Sequence, residues 1–266
     1  MLLQWIRKNK YKFMLCIIGL YQAGDVLLHK GQTRILFPKS FPAYTIDGNL
    51  PTNKNVIINQ NKKWKKAINS IERLKGLSTN QHGFECDVYF NVEKNCFEVH
   101  HDEEKDTGLK LVDLLMQYQK QKLKASIWLD FKNLNDSNAA ASLTRLIEIR
   151  NKFGLQNKIL IESDQAGLLV AFADSNFFTS YYTPFFNPYL INDNEATHWV
   201  DSISKMLKKS NVNALSGYYF QYPFLRHYFP GYPILIWSGN DSFSLVNWLY
   251  QKKIEADTGV FISLYP

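Results

Sequence analysis

Two acidic residues alternate in the segment Gly83-Phe-Glu85-Cys-Asp87-Val-Tyr-Phe90. Residues two apart on an extended strand share a face. Glu85 and Asp87 therefore point one way and Phe84, Cys86 and Val88 the other. A carboxylate pair on an inner face requires a cation or a proton for neutralisation. Further along, Phe97-Glu-Val-His100-His101-Asp102 ends in two histidines, Ser126-Ile-Trp-Leu-Asp130-Phe-Lys132 places an acid and a base on one face, and Ile161-Glu162-Ser163 ends a fourth apolar run. Three carboxylates with a His and a Lys suit a hard divalent cation, Mg²⁺ or Ca²⁺, opposite a phosphate. Lys132 would meet that phosphate as a point charge, and a histidine would move a proton to or from the reacting oxygens. The residues leave open whether His100 or His101 takes that role, because a one-residue shift of strand register exchanges their faces.

These residues need elements that bring them to one rim. From about residue 65, short β-rich runs alternate with helical patterns. The expected strands are 66–68, 83–90, 96–101, 126–131, 159–162, 177–182, 233–238 and 259–263, with an additional extended segment at 214–222. Helical spacing recurs at Leu111, Leu114 and Leu115; at Leu143, Leu146 and Ile147, between a Ser137 cap and a Gly154 stop; at Val200, Ile203 and Leu207, after Thr197; and at Leu245, Trp248 and Leu249, after Ser242. Eight strands with intervening helices predict an α/β fold, a (β/α)₈ TIM barrel over residues 63–266, whose site lies at the C-terminal ends of the strands. An open doubly wound sheet would call for a glycine-rich phosphate loop after the first strand, and none is present.

The 266 residues carry a net charge of +7 that is not evenly spread. Residues 1–75 hold 14 Lys and Arg against 3 Asp and Glu, a net of +11; the remainder is net −4. No recognition-helix, zinc-finger or RNP-like pattern accompanies the basic front, so nucleic acid is not expected as a partner. Residues 1–29 join basic Arg7, Lys8, Lys10 and Lys12 to the apolar run Phe13–Tyr21, with Asp25 beyond it. That is the pattern of a signal-anchor or an interfacial helix, short for a clean span. It predicts membrane association with the barrel on the non-cytoplasmic side; the alternative is a soluble cytoplasmic protein with an amphipathic extension. Residues 30–62, with Pro38, Pro42 and Pro51, read as a linker wrapping onto the barrel. Cys16, Cys86 and Cys96 form neither a disulfide framework nor a zinc spacing.

The ordered motifs Glu85-Cys-Asp87, His101-Asp102 and Leu129-Asp130-Phe131-Lys132 resemble those of the phospholipase-C-like phosphodiesterase superfamily, which includes the glycerophosphodiester phosphodiesterases, sphingomyelinase D-like enzymes and menorin-like barrels. Asp257-Thr-Gly-Val-Phe-Ile-Ser-Leu-Tyr-Pro266 also resembles the closing strand of the glycerophosphodiesterases. The resemblance implies a (β/α)₈ barrel, a divalent cation held by Glu85, Asp87 and Asp130, catalytic His101, and Lys132 near the phosphate, with Glu162 and Asn69 among the substrate-binding residues. Its ligand would be a phosphodiester or a lysophospholipid-like small molecule. One departure stands out. Superfamily members resembling this chain carry His followed three residues later by Asn on the first strand; here Asn69 matches, but Lys66 holds the His position. His29-Lys30-Gly31 looks like the glycerophosphodiesterase His-Arg-Gly motif but lies too far before Glu85, and His82 falls at the wrong end of its strand. Lysine beside carboxylates is expected to have a raised pKa and to be a poor base. It would serve as an oxyanion stabiliser, or would replace the cation by neutralising Glu85 and Asp87. Two readings stay open: a metal-dependent phosphodiester hydrolase with altered acid/base residues, and a catalytically inactive barrel that binds a phosphorylated or glycan-like ligand, or a protein partner, near a membrane.

Overall fold

A computed structural model of the chain describes residues 8–28, 39–46, 48–51, 58, 62–102, 107–238 and 244–266. In chain order the elements are α1 (Lys10–Leu28), β1 (Lys63–Lys65), α2 (Ile71–Lys75), β2 (Gly83–Asn91), β3 (Cys96–Val99), α3 (Leu111–Lys120), β4 (Ser126–Phe131), α4 (Ala139–Phe153), β5 (Ile159–Ser163), α5 (Val170–Asp174), β6 (Phe178–Tyr182), α6 (Asp193–Leu207), β7 (Ala214–Tyr218), α7 (Tyr222–Tyr228), β8 (Ile234–Trp237), α8 (Leu245–Ala256) and β9 (Val260–Tyr265). Every strand but β3 pairs in parallel with its neighbours, and β9 returns to β1, which also pairs with β2. The sheet is a closed eight-stranded parallel barrel with helices outside, the (β/α)₈ TIM barrel expected from the alternation.

The membership of the barrel differs from the expected one. Residues 96–101 do not form a barrel strand: β3 runs antiparallel to β2, pairing Val88 with Val99 and Asn91 with Cys96, as the return arm of a hairpin. The eighth barrel strand is β7, within the segment taken as additional. A four-residue turn (92–95), with Asn95 in the left-handed region, makes the hairpin possible. A parallel neighbour needs a crossover of a dozen or more residues. The first strand also lies earlier, at residues 63–65 rather than 66–68.

Some helix ends shift for similar local reasons. α4 starts at Ala139 with Asn138, not Ser137, at its cap, and it stops at Gly154 in the left-handed conformation (φ +64°). α6 begins ahead of Thr197, where Asn192 and Glu195 form a reciprocal capping box. Among the described side chains of α8, Tyr250 and Ile254 are buried, whereas Leu245, Trp248 and Leu249 are exposed. The suggested Ser242 cap and His29-Lys30-Gly31 lie outside the described residues. The described parts of 39–51 lie against the barrel: Lys39 Nζ donates to the carbonyls of Pro188 and Ile191, and the hydroxyls of Tyr228 and Tyr232 donate to those of Pro42 and Pro51.

Period-two alternation builds two cores. Phe84, Cys86 and Val88 of β2, with Ile127, Leu129 and Phe131 of β4, face the helix layer. Trp64, Trp128, Leu160, Phe178, Leu235, Ile262 and Leu264 fill the barrel interior. Trp128 and Asp130 share a face, so one strand supplies an apolar floor and then an acid at the mouth. The floor depends on Gly83, because a Cβ there would lie 2.1 Å from the indole of Trp64. Trp64 is 1% exposed, a bulky buried ring rather than the free end of a flexible side chain. Gly83→Ala is expected to destabilise the barrel by about 1–3 kcal/mol through overpacking, read as a lower urea midpoint with an unchanged m-value.

Candidate functional site

The chain leaving β1 folds back over the barrel mouth as Lys66-Ala67-Ile68-Asn69-Ser70. Ala67 takes a left-handed backbone (φ +55°), a conformation costing an alanine about 1 kcal/mol, and its N–H donates to Glu85 Oε2 at 2.6 Å. Ile68 N–H donates to the Glu85 carbonyl at 2.8 Å. Asn69 clamps the next acid from both sides: its Nδ2 donates to Asp87 Oδ2 at 2.5 Å and its Oδ1 accepts from the Asp87 N–H at 2.9 Å. The turn ends where Ser70 caps α2 by accepting from Arg73 N–H.

Strand register completes the cluster by setting Asp87 beside Asp130 and Asp130 beside Glu162. One oxygen from each of Glu85, Asp87 and Asp130 lies within 4.8 Å of the others, and all three residues are buried. Burial raises Glu85 well above the ordinary carboxylate range, and Asp87 and Asp130 add like-charge repulsion. Burial pushes Asp130 up to about 6 against the opposing pull of Lys132. Glu85 Oε1 has no hydrogen-bond partner. An orphaned oxygen in a tight, all-oxygen donor set fits a hard divalent cation, and these three residues would hold it.

Among the described residues, the cation paired with this cluster is Lys132, not Lys66. Lys132 Nζ lies 2.8 Å from Asp87 Oδ1 and also pairs with Asp130 Oδ2. Burial alone would lower the Lys132 pKa, but the two aspartates outweigh it and hold the ammonium firmly charged. Lys66 Nζ instead donates to the Ser238 carbonyl at 3.1 Å. Its pKa falls rather than rises, because burial outweighs the attraction of Glu85 and Arg73 adds repulsion. The expected increase required an ion pair that the lysine does not make.

A cavity of about 390 Å³ opens above the cluster, bordered by Lys66, Glu85, Asp87, His101, Asp130 and Lys132, with Tyr182, Tyr218, Trp237 and Ser238 as its far wall. His101, its side chain 68% exposed, presents its ring to this cavity with Nδ1 2.6 Å from Asp102 Oδ1. His100 is buried and stacked on Tyr89 at 4.3 Å, its Nδ1 2.9 Å from the Asp102 carbonyl oxygen. Both histidines come from the turn after the hairpin arm β3, not from the end of a barrel strand. Glu162 is fully buried and does not border the cavity; burial and then Asp130 raise its pKa well above normal. Neither of its carboxylate oxygens has a partner of normal hydrogen-bond geometry, although Ser216 and Trp237 stand beside it. Of the strand-end aromatics, Tyr182, Tyr218 and Trp237 face the cavity, while Tyr181 and Tyr219 pack in the outer core. The parts that sequence reasoning missed are backbone groups, the Ala67 N–H and the Ser238 carbonyl. Their roles carry no residue-type signal.

No protein-family model matches the sequence, and no curated protein does. Solved structures do. A phosphodiesterase of Oleispira antarctica, in complex with the product sn-glycerol-3-phosphate, aligns at a TM-score of 0.51 and 12% identity over 77% of this chain and 93% of its own. A protein of Galdieria sulphuraria assigned to the glycerophosphodiester phosphodiesterases aligns at 0.54 and 14% identity over 80% and 95%. A glycerophosphodiester phosphodiesterase of Parabacteroides distasonis aligns at 0.50 and 15% over 81% and 93%. With the closed parallel barrel, these likenesses show that the chain has a (β/α)₈ barrel fold similar to that of these phosphodiesterases.

Proposed function

We propose that the protein is a divalent-cation-dependent phosphodiester hydrolase acting on a small phosphodiester or lysophospholipid-like substrate. The observation that carries this reading is the convergence of Glu85, Asp87 and Asp130 within 4.8 Å of one another, under a cavity also bordered by His101, Lys66 and Lys132. The acids would hold Mg²⁺ or Ca²⁺. When bound, the cation supplies positive charge against the non-bridging oxygens of the phosphate. Lys132, held by Asp87 and Asp130, would offer positive charge to the phosphate. Lys66, anchored on the Ser238 carbonyl, offers a second positive charge to the phosphoryl oxygens. His101, oriented by Asp102, gives its proton to the leaving alkoxide as the P–O bond to that group breaks and water forms the new one; the attacking water's surplus proton passes to a phosphoryl oxygen of the product and on to solvent, from which His101 is reprotonated. The aromatic wall of Tyr182, Tyr218 and Trp237 excludes water and packs against the leaving group.

The test is hydrolysis of glycerophosphocholine and lysophosphatidylcholine by the full chain with Mg²⁺ or Ca²⁺. Turnover that EDTA abolishes is the expected result; no turnover of any diester with either cation would sink the reading. Asn69→Ala should remove two hydrogen bonds from Asp87 and weaken cation affinity by about 10–100-fold, measured by titration calorimetry, with little change in the far-UV spectrum.

The second reading, an inactive barrel that binds a phosphorylated ligand, draws support from Lys66 at the first-strand histidine position and from Lys132 already neutralising Asp87 and Asp130.

A further inference from the structure

α1 is unusual for a helix lying on a barrel. Phe13, Met14, Leu15, Ile17, Ile18, Leu20 and Tyr21 are each between 37% and 74% exposed. A helix apolar on most of its circumference is ordinarily buried. Its C-terminal half meets the barrel where Ser244 Oγ donates to Asp25 Oδ2 at 2.5 Å and Leu245 N–H donates to Gln22 Oε1 at 3.0 Å. At that junction the apolar surface continues onto α8 through exposed Leu245, Trp248 and Leu249. Ser244 follows the cavity residue Ser238 by six residues, so the junction lies within about 21 Å of the cavity rim. At the other end of α1, exposed Lys8, Lys10 and Lys12 give the surface a basic margin.

We propose that α1 and the first turns of α8 form a docking surface for an anionic lipid bilayer, with the helix lying in the membrane interface. Two observations select a lipid surface over a protein partner, and a third bears on how the helix meets it. The apolar residues are bordered by lysines, the complement of anionic headgroups. Tyr11, Tyr21 and Trp248 sit among the aliphatic residues, as interfacial aromatics do. No helix among the described residues is long and apolar enough to cross a membrane, which favours an in-plane helix over a spanning one. The cavity mouth would then stand close to the bilayer, where a lysophospholipid-like substrate partitions.

The test uses the full chain and sucrose-loaded vesicles of equimolar phosphatidylcholine and phosphatidylglycerol. The protein is expected to co-sediment, to be released by high salt, and to show a blue-shifted tryptophan emission that Trp248→Phe diminishes. Replacing Lys8, Lys10 and Lys12 together by Glu should weaken partitioning by on the order of 100-fold, about fivefold per lysine. Ile17→Asp with Ile18→Asp should abolish it while leaving cleavage of soluble glycerophosphocholine unchanged. A folded protein that stays in the supernatant at low salt would overturn the proposal. So would a dimer whose interface protects Ile17 and Trp248, since a second copy would then cover the surface, and so would vesicle binding that only detergent reverses, which marks a spanning helix. The sedimentation and fluorescence readouts require no turnover, so failure of the hydrolase reading would leave them intact.

Discussion

Glu85→Gln is expected to abolish cation binding and diester hydrolysis while making the metal-free protein more stable at neutral pH. Glutamine preserves the shape and keeps an acceptor for the Ala67 N–H, which lies 2.6 Å from Glu85 Oε2. What it removes is a fully buried carboxylate beside Asp87 and Asp130. Relieving such a charge is stabilising by on the order of 1 kcal/mol or more, and losing a ligand from a three-carboxylate set should lower turnover by about 10³-fold or more.

The pH dependence gives this prediction its sign. Glu85 is held well above its ordinary value of 4.5, and Asp130 is raised from 3.8 to about 6. The native metal-free protein therefore keeps protons that the unfolded chain has released. Stability falls wherever the native state binds more protons. The stabilising contribution is whole below about pH 4 and is lost as the pH rises through 6 and beyond. Glu85→Gln and wild type should thus unfold together near pH 4 and separate at pH 8, with the variant melting higher. Saturating Mg²⁺ or Ca²⁺ should rescue the wild type alone. Thermal unfolding at the two pH values checks this, and identical melting at pH 8 would show that Glu85 is not a strained carboxylate.

The second large effect is expected at the histidines. His101→Ala should lower turnover by about 10²–10⁴-fold, the usual contribution of a positioned acid or base. His100→Ala should act mainly on stability, because that ring is buried against Tyr89. Lys66→His would add a second imidazole to the cavity that His101 borders and is expected to raise turnover toward a two-histidine mechanism. The decisive comparison is the pH–rate profile. Wild type, with one imidazole at the cavity, and Lys66→His, with two, should differ in the shape of that profile, the variant gaining a limb. If the wild type is inert and Lys66→His turns over substrate, the protein is the ligand-binding barrel of the second reading.

Much of this site was legible in the order of residues alone. Glu85 and Asp87, and Asp130 and Lys132, share faces because a strand repeats every two residues, and that period needs no tertiary information. The acids are also flanked by apolar runs that must pack outward, so their inward direction follows from local pattern. The alternation of strand and helix likewise implied the barrel. Four things depended on the closed structure. Residues 96–99 and 214–218 both read as strands, and only the pairing partners made β3 a hairpin arm and β7 a barrel stave. The choice between His100 and His101 hung on a one-residue register that the turn after β3 decided. Which lysine meets the acids depended on reach: Lys132 rises from the strand that bears Asp130, whereas Lys66 leaves β1 toward Ser238 and loses charge stability to burial. Gly83 gave no sign of its role until Trp64 crossed over it from the neighbouring strand. Facing direction is a local property of a strand, set by its two-residue period. Pairing, burial and the destination of a long flexible side chain are set by neighbours distant in the chain, so for this protein only the closed barrel decided them.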